Sequence, residues 1–218
     1  MKMYELYVKL ISLSAGCASS MLMLTPLLVC RDIIQKKSSD HVKVGTFTGA
    51  FFRSSLFFRQ GQLLNLQTVM YVHGMGLILN FLYISLYYFY SSKKNEVIKN
   101  VFNIISISFI LILYSVFESK EVVSIRYPSI VSVIHILIIA WPLLSLRETF
   151  RTKCWLGHPK PIIINGTIVS VLWFLYSINV KNKIMFIQCF ISTILCSAQL
   201  VLLSIYPTDV PKKSEKEE

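Results

Sequence analysis

The run Pro26-Leu27-Leu28-Val29-Cys30-Arg31-Asp32 returns as Pro142-Leu143-Leu144-Ser145-Leu146-Arg147-Glu148, 116 residues further on (142 − 26). Each copy closes a long apolar stretch and leads into a basic loop. Held without gaps, the same offset pairs Lys37 with Lys153, Ser54 with Ser170, Phe57 with Trp173 and His73 with Cys189. The chain reads as one unit written twice, so the fold question becomes what that unit is.

Around these strings the composition is that of a lipid-solvated protein. Of 218 residues, 54% are hydrophobic and 15% charged, and the mean hydropathy is +0.60. A soluble domain carries roughly a quarter charged residues. Seven apolar runs stand out: Leu10–Cys30, Val44–Gly61, Thr68–Tyr90, Val101–Phe117, Pro128–Leu146, Pro161–Ile178 and Ile184–Tyr206. About 18 to 24 apolar residues cross roughly 30 Å of hydrocarbon. Lipid offers no partner to an unpaired backbone group, so each run must be helical. The second run is the least apolar. Its Arg53, Arg59 and Gln60 require a cavity or a route to the interface.

A three-helix unit that starts outside ends inside. A second copy in the same orientation needs one extra crossing before it. The predicted fold is therefore all-α, with seven transmembrane helices as two parallel three-helix bundles joined by a linker helix. The first repeat is placed at residues 1–92, the linker at 93–122, the second repeat at 123–206 and a disordered cytosolic tail at 207–218. In transporters built from parallel repeats the substrate site lies near the bilayer midplane. The net charge of +11 does not imply nucleic acid, because the basic residues sit in short loops. Arg31, Lys36, Lys37, Lys43, Lys93, Lys94, Lys99, Arg147, Arg151, Lys153 and Lys160 all fall on one side. That side is assigned to the cytoplasm, with the N-terminus outside and the C-terminus cytosolic.

Nothing points to catalysis. No apolar run contains Asp or Glu, and there is no triad spacing, zinc pattern or phosphate loop, so no catalytic residue, metal or cofactor is expected. The five cysteines match no zinc or disulfide framework. The sequon Asn165-Gly-Thr167 lies inside the sixth run, out of reach of glycosylation. Proton- or sodium-driven carriers usually hold their ion with membrane-embedded acids. Their absence favours passive uniport.

The remaining polar and aromatic residues of the second, third, sixth and seventh runs are candidate path lining. Trp173 offers a flat apolar face on which a solute could stack, or else belongs to an interfacial aromatic belt. Ser54, Ser170, His73 and Cys189 can meet hydroxyls, the thiol weakly. The serines can equally be small helix-contact residues, and His73 can simply bond a neighbouring helix. Pro26 and Pro142 sit at repeated positions near helix ends and can kink their helices, while Pro159 and Pro161 open the sixth run.

The repeated string with Lys36-Lys37-Ser38 behind it, together with Trp173-Phe174-Leu175-Tyr176, resembles the SWEET family of the PQ-loop superfamily. The similarity runs from about Leu10 to Pro207 and is strongest to invertebrate members after Phe117. SWEET transporters are an instance of the parallel-repeat class. The resemblance implies bidirectional facilitated diffusion of mono- or disaccharides by rocking of the two bundles. It places His73 and Cys189 where the family has asparagines, Trp173 at the pocket tryptophan and Phe57 at its first-repeat counterpart. Gating prolines map to Pro26, Pro142 and Pro159. The second-helix proline is absent, the sequence there being Val44-Gly45-Thr46. Expected partners are a sugar, membrane lipid and further protomers in a homo- or hetero-oligomer. The plasma membrane is the expected location, with the Golgi or another endomembrane as the other. Two further readings stay open: a weakly active member working in hetero-oligomers, and a PQ-loop transporter of another small solute.

Overall fold

The computed structural model describes residues 2–155 and 160–206; Pro159 and the tail 207–218 lie outside them. Among the described residues the regular structure is helical throughout. The first run is α1 (Lys2–Leu24) and α2 (Pro26–Lys36), parted at Thr25. Then come α3 (Gly45–Leu63), α4 (Gln67–Phe89), α5 (Lys94–Phe117) and α6 (Lys120–Ala140). A 3₁₀ turn at Trp141–Ser145 leads to the short α7 (Leu146–Thr152), followed by α8 (Lys160–Val180) and α9 (Lys183–Ile205). α5 and α6 start earlier than their apolar runs predict. Their polar first turns, Lys94–Asn100 and Lys120–Ser124, extend the helices beyond the apolar window. α6 also continues through Pro128, where the sequence predicts a start.

Among the described residues six spans are long and apolar enough to cross a membrane: 3–36, 67–90, 94–117, 120–152, 160–180 and 183–205. α3, the second of the seven apolar runs, is not one of them. It is not bare to lipid, because α4 and α5 pack against it. Its Thr48, Ser54, Ser55 and Gln60 are all buried. Arg59 is also accounted for. Its Nε donates to Ser115 Oγ at 2.8 Å and an Nη to Ser115 O at 3.2 Å, in the last turn of α5. A guanidinium there meets the negative end of that helix.

The chain packs as two units, Met1–Val133 and Ile134–Glu218. In the first, α4 lies against α1, α2 and α3. In the second, α8 pairs with α9. Lipid-type exposure is plain on α5, where Phe102, Phe109 and Ile110 stand out, while serines, glutamines and an asparagine are buried. Polar residues inside and apolar ones outside is how helices associate where lipid supplies no hydrophobic drive.

The backbone carries the duplication. Among the described residues, four non-glycine positions have positive φ: Lys37 (51°), Asn65 (54°), Lys153 (57°) and Lys181 (56°). They form two pairs, each 116 apart (153 − 37; 181 − 65). Lys37 caps α2, its N–H donating to Ile34 O. Asn65 and Lys181 turn the second helix of each unit into the third. The first of these turns is so tight that a Cβ on Gly61 would lie 2.9 Å from Met70 Cγ and 3.1 Å from its backbone N.

The cores repeat as well. The first unit gathers Cys30, Ile33, Phe47, Tyr83, Tyr87 and Val97. The second gathers Trp155, Ile163 and Leu203. Ile163 and Leu203 are the 116-offset partners of Phe47 and Tyr87. In the first unit the core is aromatic and wired to the loop: Tyr87 Oη donates to Val42 O at 2.8 Å, and Ser39 Oγ to Tyr87 O at 3.1 Å.

Candidate functional site

Each unit presents its candidates where its second and third helices face each other. In the first, Phe57 of α3 stacks on His73 of α4, with ring centroids 4.8 Å apart and planes 22° from parallel. One turn along each helix, the next rung is Ser54 against Gly76. Ser54 is buried, and a Cβ on Gly76 would lie 2.8 Å from its Oγ and 3.0 Å from Met23 Sδ of α1. Only glycine allows this close approach. It puts the Ser54 hydroxyl where α1, α3 and α4 come together.

In the second unit Trp173 meets Tyr176 edge to face, centroids 5.5 Å apart and planes at 82°. Thr193 of α9 donates from Oγ1 to Cys189 O at 2.9 Å and to Ser170 O of α8 at 3.1 Å. One hydroxyl thus ties the backbones behind two candidates. Ser170 Oγ itself donates to Thr167 O at 2.8 Å. The Cys189 side chain is buried, and the Ser177 hydroxyl of α8 donates to Phe174 O at 2.7 Å. An imidazole in this setting can give or take a hydrogen bond from a hydroxyl, whereas a thiol does either weakly.

The two described proline candidates sit at the helix breaks. Pro26 opens α2, and Pro142 is the second residue of the 3₁₀ turn. Around the first break the backbone bonds i to i−3: Thr25 N–H to Leu22 O and Leu28 N–H to Thr25 O, both 3.2 Å. In that pattern a proline leaves the carbonyl three residues earlier without its donor. Those carbonyls are Met23 O and Ile139 O. Tyr83 Oη of α4 donates to the first at 3.1 Å, and Gln199 Nε2 of α9 to the second at 2.7 Å. Pro159 lies outside the described residues.

Sequence reasoning passed over Tyr83, Gln199 and Thr193. Tyr83 and Gln199 are themselves 116 apart (199 − 83). Matching by residue type hides the pair, because a phenol and an amide share little but a donor.

Comparison with known proteins gives these features a setting. The family described as "Sugar efflux transporter for intercellular exchange" matches residues 9–95 and again residues 127–210. A Drosophila pseudoobscura pseudoobscura protein named Sugar transporter SWEET1 is 25% identical over 202 residues, covering 91% of this chain and 89% of its own. A Dictyostelium discoideum protein of the same name is 26% identical over 213 residues, covering 87% and 89%. The rice Bidirectional sugar transporter SWEET3b is 24% identical, covering 95% and 84%. In fold, the chain is similar to a eukaryotic SWEET transporter solved at 3.7 Å, with a TM-score of 0.79 at 17% identity, over 93% of this chain and 100% of that one. This likeness carries the architecture of three helices, a linker and three more. With the family matched in both halves, the chain belongs to the SWEET family of sugar efflux transporters, a family of multi-pass membrane carriers and not of enzymes.

Proposed function

We propose that the chain carries neutral mono- or disaccharides in both directions by alternating access, as a uniporter. The observation that carries this reading is the paired chemistry of the two repeats. Each sets an aromatic ring, Phe57 or Trp173, at one position and a hydrogen-bonding side chain, His73 or Cys189, at another. A sugar needs both a flat apolar face and partners for its hydroxyls. Ser54 and Ser170 sit one turn away on the same helices and offer their hydroxyls to the sugar. Pro26, Pro142 and Pro159 serve as hinges. The seven apolar runs hold no carboxylate, which supports uniport over ion coupling. We place the N-terminus outside and the C-terminus in the cytosol, in the plasma membrane, as part of an oligomer; the basic loops support this orientation.

The test is uptake and efflux of several labelled sugars in cells lacking their own carriers. Uptake insensitive to a protonophore and accelerated by sugar on the opposite side is expected. Uptake that collapses with the proton gradient overturns uniport. Movement of none of the sugars overturns sugar transport.

A second reading has its own observation. The buried thiol of Cys189 is a poor hydroxyl partner, so the chain acts as a weak carrier that works within hetero-oligomers. Uptake that appears only on co-expression of a second family member distinguishes it.

A further inference from the structure

Two hydrogen bonds occupy the same place in the two repeats although no residue type is shared between them. Tyr83 Oη donates to Met23 O at 3.1 Å, and Gln199 Nε2 to Ile139 O at 2.7 Å. Donors and acceptors are each 116 apart (199 − 83; 139 − 23). Both acceptors stand three residues before a proline at which the helix breaks. Both donors are buried on the third helix of their unit, Tyr83 at 4% exposure and Gln199 at 5%.

The chemistry explains why the pairing outlives the change of residue. Proline has no N–H, so an i to i−3 turn through it leaves one carbonyl open. Inside a membrane protein an open carbonyl is costly, and the bend persists only if another group donates. Tyrosine and glutamine differ in shape and polarity, yet each brings one donor to the same spot.

We propose that Tyr83 and Gln199 are latches on the two proline hinges, positioning residues that set how readily each first helix bends and hence how fast the carrier turns over. This rests on the alternating-access reading above. A swing at either proline lengthens the donor's bond to the freed carbonyl, so each latch is a brake acting on its own repeat.

Hydrogen–deuterium exchange of the full-length protein in detergent tests the latch without any substrate. Tyr83→Phe, which removes only the hydroxyl, is expected to speed exchange at least threefold over residues 22–30 and to leave 138–146 unchanged. Gln199→Met is expected to do the reverse. In a Pro26→Ala background the restored N–H takes Met23 O, and Tyr83→Phe then adds nothing. Unchanged exchange in Tyr83→Phe, or the same increase with and without Pro26, overturns the latch.

Transport kinetics test the brake. With equal amounts of protein at the surface, Tyr83→Phe is expected to raise maximal sugar flux about threefold at unchanged KM. A changed KM with unchanged maximal flux, or no change in either, overturns control of turnover. If the parent moves no sugar, the proposed transport fails while exchange still decides the latch.

Discussion

Phe57 and His73 stack ring on ring, 4.8 Å between centroids, so the imidazole is held flat against a neighbouring helix and not left to swing. Such a pair contributes about 1 kcal/mol beyond burial. Phe57→Ala is therefore expected to weaken apparent sugar affinity about fivefold, and Phe57→Trp to preserve it. Concentration-dependent uptake measures both. Equal affinity in the alanine variant would remove the stack from the path.

His73→Asn combined with Cys189→Asn is expected to raise uptake. An amide gives and takes hydrogen bonds that a buried thiol makes poorly. One better bond to a bound hydroxyl contributes about 1 kcal/mol, or about fivefold in affinity. Uptake that stays level or falls in the double variant shows that these positions do not meet the sugar.

Gly76→Ala is expected to destabilise the protein by about 1–3 kcal/mol, since its new methyl would sit 2.8 Å from Ser54 Oγ. Adding Ser54→Gly should return much of that loss. Thermal midpoints in detergent report both. A double variant no more stable than Gly76→Ala alone would show that Ser54 is not the residue in the way.

Lys37 and Lys153 hold left-handed backbone that glycine adopts without strain. Lys37→Gly and Lys153→Gly are each expected to stabilise by about 0.5–1 kcal/mol. Asn65→Gly should gain less, since asparagine tolerates this region well. Denaturation midpoints rank the three; an equal or larger gain at Asn65 would contradict the backbone account.

Asp40, in the loop before α3, accepts Ser92 Oγ–H at 2.8 Å and Ser92 N–H at 3.3 Å. The hydroxyl bond above all holds its carboxyl below the usual carboxylate range. A lowered folded pKa means the stabilisation is fully present above the ordinary value near ~4 and is lost as pH falls through the lower one. Ser92→Ala is expected to move the Asp40 titration upward in carbon-detected NMR. An unmoved midpoint would show the bond has no weight in solution.

Much of the architecture was readable because the proline string repeats at a fixed distance and lipid forces every span to be helical. α3 shows the limit of hydropathy. Its buried Ser54, Ser55 and Gln60 look too polar for a span until α4 and α5 are seen to cover it. The starts of α5 and α6 slipped because apolar windows end where polar first turns begin. The chemistry was less legible. The repeat offset matched Phe57 with Trp173 and His73 with Cys189, but spacing cannot show that Phe57 and His73 stack on each other. Tyr83 and Gln199 were invisible because what they share is a donated proton, not an identity.

The paired left-handed residues show that the stretch from Lys37 to Asn65 and the stretch from Lys153 to Lys181 have the same length to the residue. A helix turns 100° and climbs 1.5 Å per residue, so one indel would rotate every later side chain off its face. A residue inserted between Lys37 and Asn65 is accordingly expected to break the register that the two copies share, whereas a point substitution there keeps it.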